Sequence, residues 1–154
     1  MDLLIALETL PPLEAFKLSF LVYPAVSALH IMGFATLFVC ILLMDLRIVG
    51  AIQVLDRDAF VTLMRRFAIA GFTVAALTGL PMFAVQAREY AFNPAFQTKM
   101  ALLVLAGLNL WAFRKVAGGD RTQRPYPASA RVLAMTSILI WIAIILAGRL
   151  VGFL

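Results

Sequence analysis

Four long apolar runs, separated by short charged stretches, set the pattern of this chain. They cover about residues 21–44, 67–87, 96–113 and 132–154. Each is close to the roughly 20 residues a helix needs to cross a hydrocarbon layer about 30 Å thick. They are too long for barrel strands, and a lipid-exposed backbone must satisfy its own hydrogen bonds, so helices are expected throughout. Between the runs, Asp45 to Arg66 reads as a charged connection, helical in part, and Arg88 to Pro94 as a short loop. Gly118 to Pro127 reads as a basic turn region. Ahead of the first run, Asp2 to Thr9 is too short to span and reads as an interfacial helix stopped by Pro11 and Pro12. Helix resumes from Leu13 to about Phe20. Pro24 falls near the start of the first run, where a missing N–H does least harm. Thr78-Gly79-Leu80-Pro81 should kink or loosen the last third of the second.

The expected fold is therefore an all-α integral membrane domain, a four-transmembrane-helix bundle spanning residues 1–154 with a short N-terminal interfacial helix. Composition agrees: 64% of residues are hydrophobic and 14% charged, against about 45–50% and about 25% in soluble domains. The net charge of +5 is no sign of a nucleic-acid partner, because most of the basic residues lie between the runs, where they set topology. Arg47, Arg57, Arg65, Arg66, Arg114, Lys115, Arg121, Arg124 and Arg131 share one side, against Lys17, Arg88, Lys99 and Arg149 on the other. The richer side is expected to be cytoplasmic, which leaves both termini on the outer side. The N-terminus lacks a basic n-region and a small-residue cleavage site, so it is not read as a signal peptide. Cys40 is the only cysteine, so no disulfide can form within the chain.

The only histidine, His30, lies well inside the first run. An ionisable side chain at that depth is a functional-site candidate by default. If Asp45 marks the cytoplasmic boundary, His30 lies about 22 Å away along a helix, in the outer half of the membrane. Arg88, Lys99 and Arg149 come from other runs to a level just above it. That set suits a haem whose iron is held by His30 and whose propionates meet cations, since guanidinium groups pair carboxylates in two-bond geometry. Ser27, Gly33 and Phe34 share the helix face of His30. Gly33 removes bulk where a flat macrocycle must approach, as Gly71, Gly79 and Gly107 do on other helices. Small residues also simply let membrane helices pack closely. A buried imidazole bonded to a carbonyl or serine, or a proton relay, are the alternatives for His30.

Copper is the competing metal. His30 and Met32 point about 200° apart on a helix, so both cannot reach one ion. Met82 alone of the other methionines sits at a comparable depth. With one histidine, two-histidine ligation within the chain is excluded, leaving the iron five-coordinate or bound also by Met82, Tyr23, Lys99 or a neighbouring subunit. Asp45 and Arg47 read as a solvated boundary pair or as partners of Arg65 or Arg66. Asn109 is expected to hydrogen-bond across helices, with pocket lining as the alternative. Gly148 and Gly152 form a small-residue seam suited to contact with another helix, hence to a homo-oligomer. A redox role would also require an electron-transfer partner.

Three segments, ALHIMGFATLF…LMDLRIVG, LMRRFAIAGFTVAALTGLPMF and FNPAFQTKMALLVLAGLN, resemble an uncharacterised bacterial four-helix membrane family. That family is distantly similar to the HemJ-type membrane protoporphyrinogen oxidase, which binds haem b, and to the copper-resistance D family. The similarity to the oxidase covers roughly the first three runs: a helix-borne histidine followed by Leu-Arg, a Thr-x-Gly second run and a lysine opening the third. It implies His30 as axial ligand, Lys99 as second ligand or propionate partner, an oxidoreductase-like activity, and a multi-pass place in the bacterial inner membrane. The oxidase pattern carries a further histidine late in the third run, where this chain has Asn109.

Overall fold

A computed structural model describes residues 11–53, 56–117 and 126–153, nearly all of them α-helical. The helices are α1 (Pro11–Leu18), α2 (Val22–Val49), α3 (Arg57–Val85), α4 (Ala87–Phe92), α5 (Pro94–Ala117) and α6 (Ala128–Leu150). Of these, α2, α3, α5 and α6 are long and apolar enough to cross a membrane. The expected interfacial helix at Asp2–Thr9 and the turn at 118–125 lie outside the described residues.

The polar connections are more helical than expected. Nothing in Asp45-Leu46-Arg47 breaks a helix, so α2 runs on to Val49. It ends at Gly50, whose φ of 101° only glycine adopts at no steric cost. The N–H groups of Gly50 and Ala51 both close back on the Leu46 carbonyl, at 3.1 and 2.9 Å. Asp56 then caps α3, its carboxylate accepting from the Ala59 N–H at 2.8 Å. Helix α3 continues through Pro81 to Val85.

The segment expected as a loop at Arg88 to Pro94 is mostly α4. Buried Asn93 joins it to α5. Its Oδ1 accepts from the N–H groups of Ala95 and Phe96 at 2.9 and 3.1 Å. Its Nδ2 donates to the Val151 carbonyl at 3.3 Å, tying the start of α5 to the chain just past α6.

The long helices pack as an open row in the order α3–α2–α6–α5. Helix α2 lies against both α3 and α6, and α6 lies against α5. The outer pair, α3 and α5, has no comparable backbone approach. The core fills the middle with Leu37 and Cys40 of α2, Ala68 of α3, and Ile140, Trp141 and Ile144 of α6. On the α2–α3 seam, Gly33 and Gly71 meet. A Cβ on Gly33 would stand 2.9 Å from the Gly71 carbonyl oxygen and the Ala75 nitrogen, closer than side chains permit. The two backbones therefore touch directly, which is how small residues bring membrane helices together.

Candidate functional site

Register follows from that crossing. One turn from Gly33 toward the start of α2 is His30, and one turn beyond Gly71 on α3 is Ala75. The imidazole Nδ1 lies 2.9 Å from the Ala75 carbonyl oxygen and 3.2 Å from Thr78 Oγ1. The Thr78 hydroxyl donates within its own helix, to the carbonyls of Val74 at 2.6 Å and Ala75 at 3.3 Å. Both partners of Nδ1 are thus acceptors, so Nδ1 carries the hydrogen. The neutral ring then presents its lone pair at Nε2, and among the described residues Nε2 has no hydrogen-bond partner. Gly79 makes room for the ring: a Cβ there would stand 2.9 Å from His30 Cε1.

Lys99 is the cation that acts on His30. It projects from the second turn of α5, its side chain lying across Gly148 of α6 with Nζ 3.8 Å from where a Cβ would be. Nζ then stands 6.0 Å from the centre of the Phe34 ring, one turn along α2 from His30. Phe34 in turn packs against Trp141, ring centres 5.9 Å apart. The ammonium is within electrostatic reach of the imidazole. Among the described residues it has no hydrogen-bond or ion-pair partner. A half-buried ammonium with only a ring face for company is suited to an anion.

The other candidates are less concentrated. Ser27 is half-buried one turn from His30 on α2, and Met82 is half-buried one turn from Gly79 on α3. Both share the faces that flank the imidazole. Arg149 is exposed at the end of α6, its guanidinium 4.7 Å from the Phe153 ring centre. Arg88 is exposed on α4. Asn109 donates to the Leu133 carbonyl at 3.1 Å, a bond between α5 and α6 about 15 Å along α5 from Lys99. Met32 faces outward. No group of three or more His, Cys, Asp or Glu that could hold a bare metal ion occurs among the described residues.

Sequence reasoning missed the Nδ1 acceptors, since the Ala75 carbonyl is a backbone group with no side-chain signal. It also missed a set of rings over the His30 end of the row. Phe83 of α3, Tyr90 of α4 and Phe96 of α5 stack with centres 5.4–6.4 Å apart and planes within about 22°. Tyr90 is hydrogen-bonded to Tyr23, two turns from His30 on α2. Burial, then the neighbouring Tyr23 and Glu89, push the Tyr90 phenol above the usual tyrosine range. Helices α3, α4 and α5 contribute one ring each to this stack, and α2 brings Tyr23 beside it.

Taken together, the chain is a helical protein with four helices able to cross a membrane and one imidazole held by its inner nitrogen. It belongs to DUF6644, a family of unknown function, whose family model matches residues 20–154. No curated protein and no solved structure matches the chain.

Proposed function

We propose that this protein is a multi-pass membrane haem protein of the b type, with His30 Nε2 as axial ligand and Lys99 as partner of an acidic group on the macrocycle. One observation carries the reading: the imidazole Nδ1–H is committed to two oxygens on α3. Histidine ligands to metals almost always have their second nitrogen held this way, which fixes the tautomer and raises basicity at the other nitrogen. Gly79 gives the imidazole its place against α3, which keeps that ring in one orientation. Porphyrin nitrogens would supply the in-plane ligands, so a lone protein histidine suffices where a bare ion would need a cluster. A bound haem would supply one-electron exchange or small-ligand binding at iron. The rings of Phe83, Tyr90 and Phe96 would limit water at that end of the site. Basic-residue placement supports a topology with the α2–α3 and α5–α6 connections in the cytoplasm and both termini outside, in the bacterial inner membrane.

The test is an absorption spectrum of protein purified from haem-replete membranes. A Soret band is expected, lost in His30→Gly and restored when imidazole is added. A band of unchanged position and intensity in His30→Gly without imidazole would overturn the assignment, as would its absence from the native protein.

A further inference from the structure

At the other end of α2 lies a second ionisable group that the haem reading does not use. Asp45 is only 8% exposed. Its hydrogen-bonding side-chain partner is Ser137 of α6, and Oδ2 has no partner at all. Among the described residues no charged side chain of α2, α3, α5 or α6 forms an ion pair with it. The nearest cation in sequence, Arg47, sends its guanidinium to the Ile52 carbonyl at 2.6 Å in the following loop. Residues two apart on a helix point about 200° apart, which explains why the pair does not close.

We infer that Asp45 and Ser137 form a proton-binding site, a carboxylic acid held in its neutral form at the end of the row remote from His30. The argument is the mismatch between what a carboxylate needs and what surrounds this one. An ionised carboxylate buried away from water must be paired with a cation or amply hydrogen-bonded, and otherwise it neutralises. One hydroxyl does neither. A neutral acid has lower demands: with one oxygen on the serine, the other loses far less by standing unpartnered than a charged carboxylate would. Ionisable groups within membrane helices mark functional sites, proton relays among them. The site lies one turn from Gly50, where the chain leaves α2 for the connecting loop, so proton exchange is expected with the aqueous phase on that side. None of this depends on haem at His30, some 22 Å away along the helix.

The experiment is infrared spectroscopy of the full chain in lipid nanodiscs at neutral pH. A carbonyl band of a protonated carboxylic acid is expected, lost in Asp45→Asn. In Ser137→Ala it is expected to move to higher frequency as the carbonyl loses its hydrogen bond. Should Asp45→Asn fail to insert, labelling the native chain with 13C-carboxyl aspartate decides: the band must shift. A native spectrum with no protonated carboxyl band, a band that survives Asp45→Asn, or one that ignores both Ser137→Ala and the label would overturn the proposal. A Soret band can be present or absent in any of these samples, so failure here is distinct from failure of the haem assignment.

Discussion

Substituting Gly71 by alanine tests the register on which the His30 geometry depends. The added Cβ would stand 2.7 Å from the Gly33 carbonyl oxygen and 2.8 Å from the Leu37 nitrogen, where ordinary contact begins at 3.4 Å. Both obstacles are backbone, so no rotamer change relieves them and α2 must part from α3 by about 0.7 Å at the crossing. Overpacking of this kind costs about 1–3 kcal/mol, and about 2 kcal/mol is a reasonable centre here because the whole seam loses dispersion contact. The His30–Ala75 bond lies one turn away and starts at 2.9 Å. Adding even part of the displacement takes it toward the outer limit of a hydrogen bond. Gly107→Ala is the matched control, since nothing lies within 4 Å of its added Cβ. The assay is denaturant unfolding of both variants in one detergent, followed by tryptophan fluorescence. Gly71→Ala is expected to shift the equilibrium roughly 30-fold toward unfolding, with Gly107→Ala within about 0.5 kcal/mol of the parent. Equal stability of the two variants would refute the backbone-contact reasoning and the register with it.

Three further outcomes follow from individual contacts. Thr78→Val removes one acceptor from His30 Nδ1 and, on the haem reading, shifts the midpoint potential of the bound haem; Thr78→Ser restores it, which a merely structural role would not require. Asn93→Ala uncaps α5 and frees the Val151 carbonyl, costing about 1–2 kcal/mol in thermal or denaturant unfolding; an unchanged midpoint would show the cap to be idle. Raising the pH should weaken the fold through Tyr90. Its folded phenol holds its proton above the ordinary value of 10.0, so the unfolded chain ionises first. The contribution is whole below that ordinary value and falls as pH rises from there through the folded value. Tyr90→Phe should remove this alkaline loss, as read from unfolding midpoints across the alkaline range.

The four spans were legible because length and hydropathy suffice to mark them, and their ends were not. Asp45 to Arg66 carries charge that looks like loop, yet Leu, Met, Arg and Ala are good helix formers. The true stop is set by Gly50 at φ 101° and the true start by the Asp56 cap. Asn109 could be read as a cross-helix donor, since an amide in an apolar run has few other outlets, and it does donate to Leu133. His30 could be picked out for the same reason. Its partners could not, because the Ala75 carbonyl is visible only once the crossing of Gly33 and Gly71 sets which turns of α2 and α3 face each other. For Asp45 the sequence offers Arg47 at the boundary or Arg65 and Arg66 across the bundle, because spacing alone does not say which side of α2 turns inward.

The order of the row gives each of the two ionisable groups of α2 a neighbouring helix to bond. Helix α2 is an inner span of the row, with an apolar span on either side, α3 and α6. A polar side chain on it can therefore find a partner away from lipid, whereas most of α5 faces outward. His30 uses one neighbour, reaching Ala75 and Thr78 of α3, and Asp45 uses the other, reaching Ser137 of α6. These bonds leave α2 at opposite ends and toward opposite neighbours. A rotation that improved one would pull on the other, and the Gly33–Gly71 contact between them has no slack to absorb it. The orientation of the imidazole is thus held by three contacts spread along α2: its own bond to α3, the Gly33–Gly71 crossing and the Asp45 bond to α6.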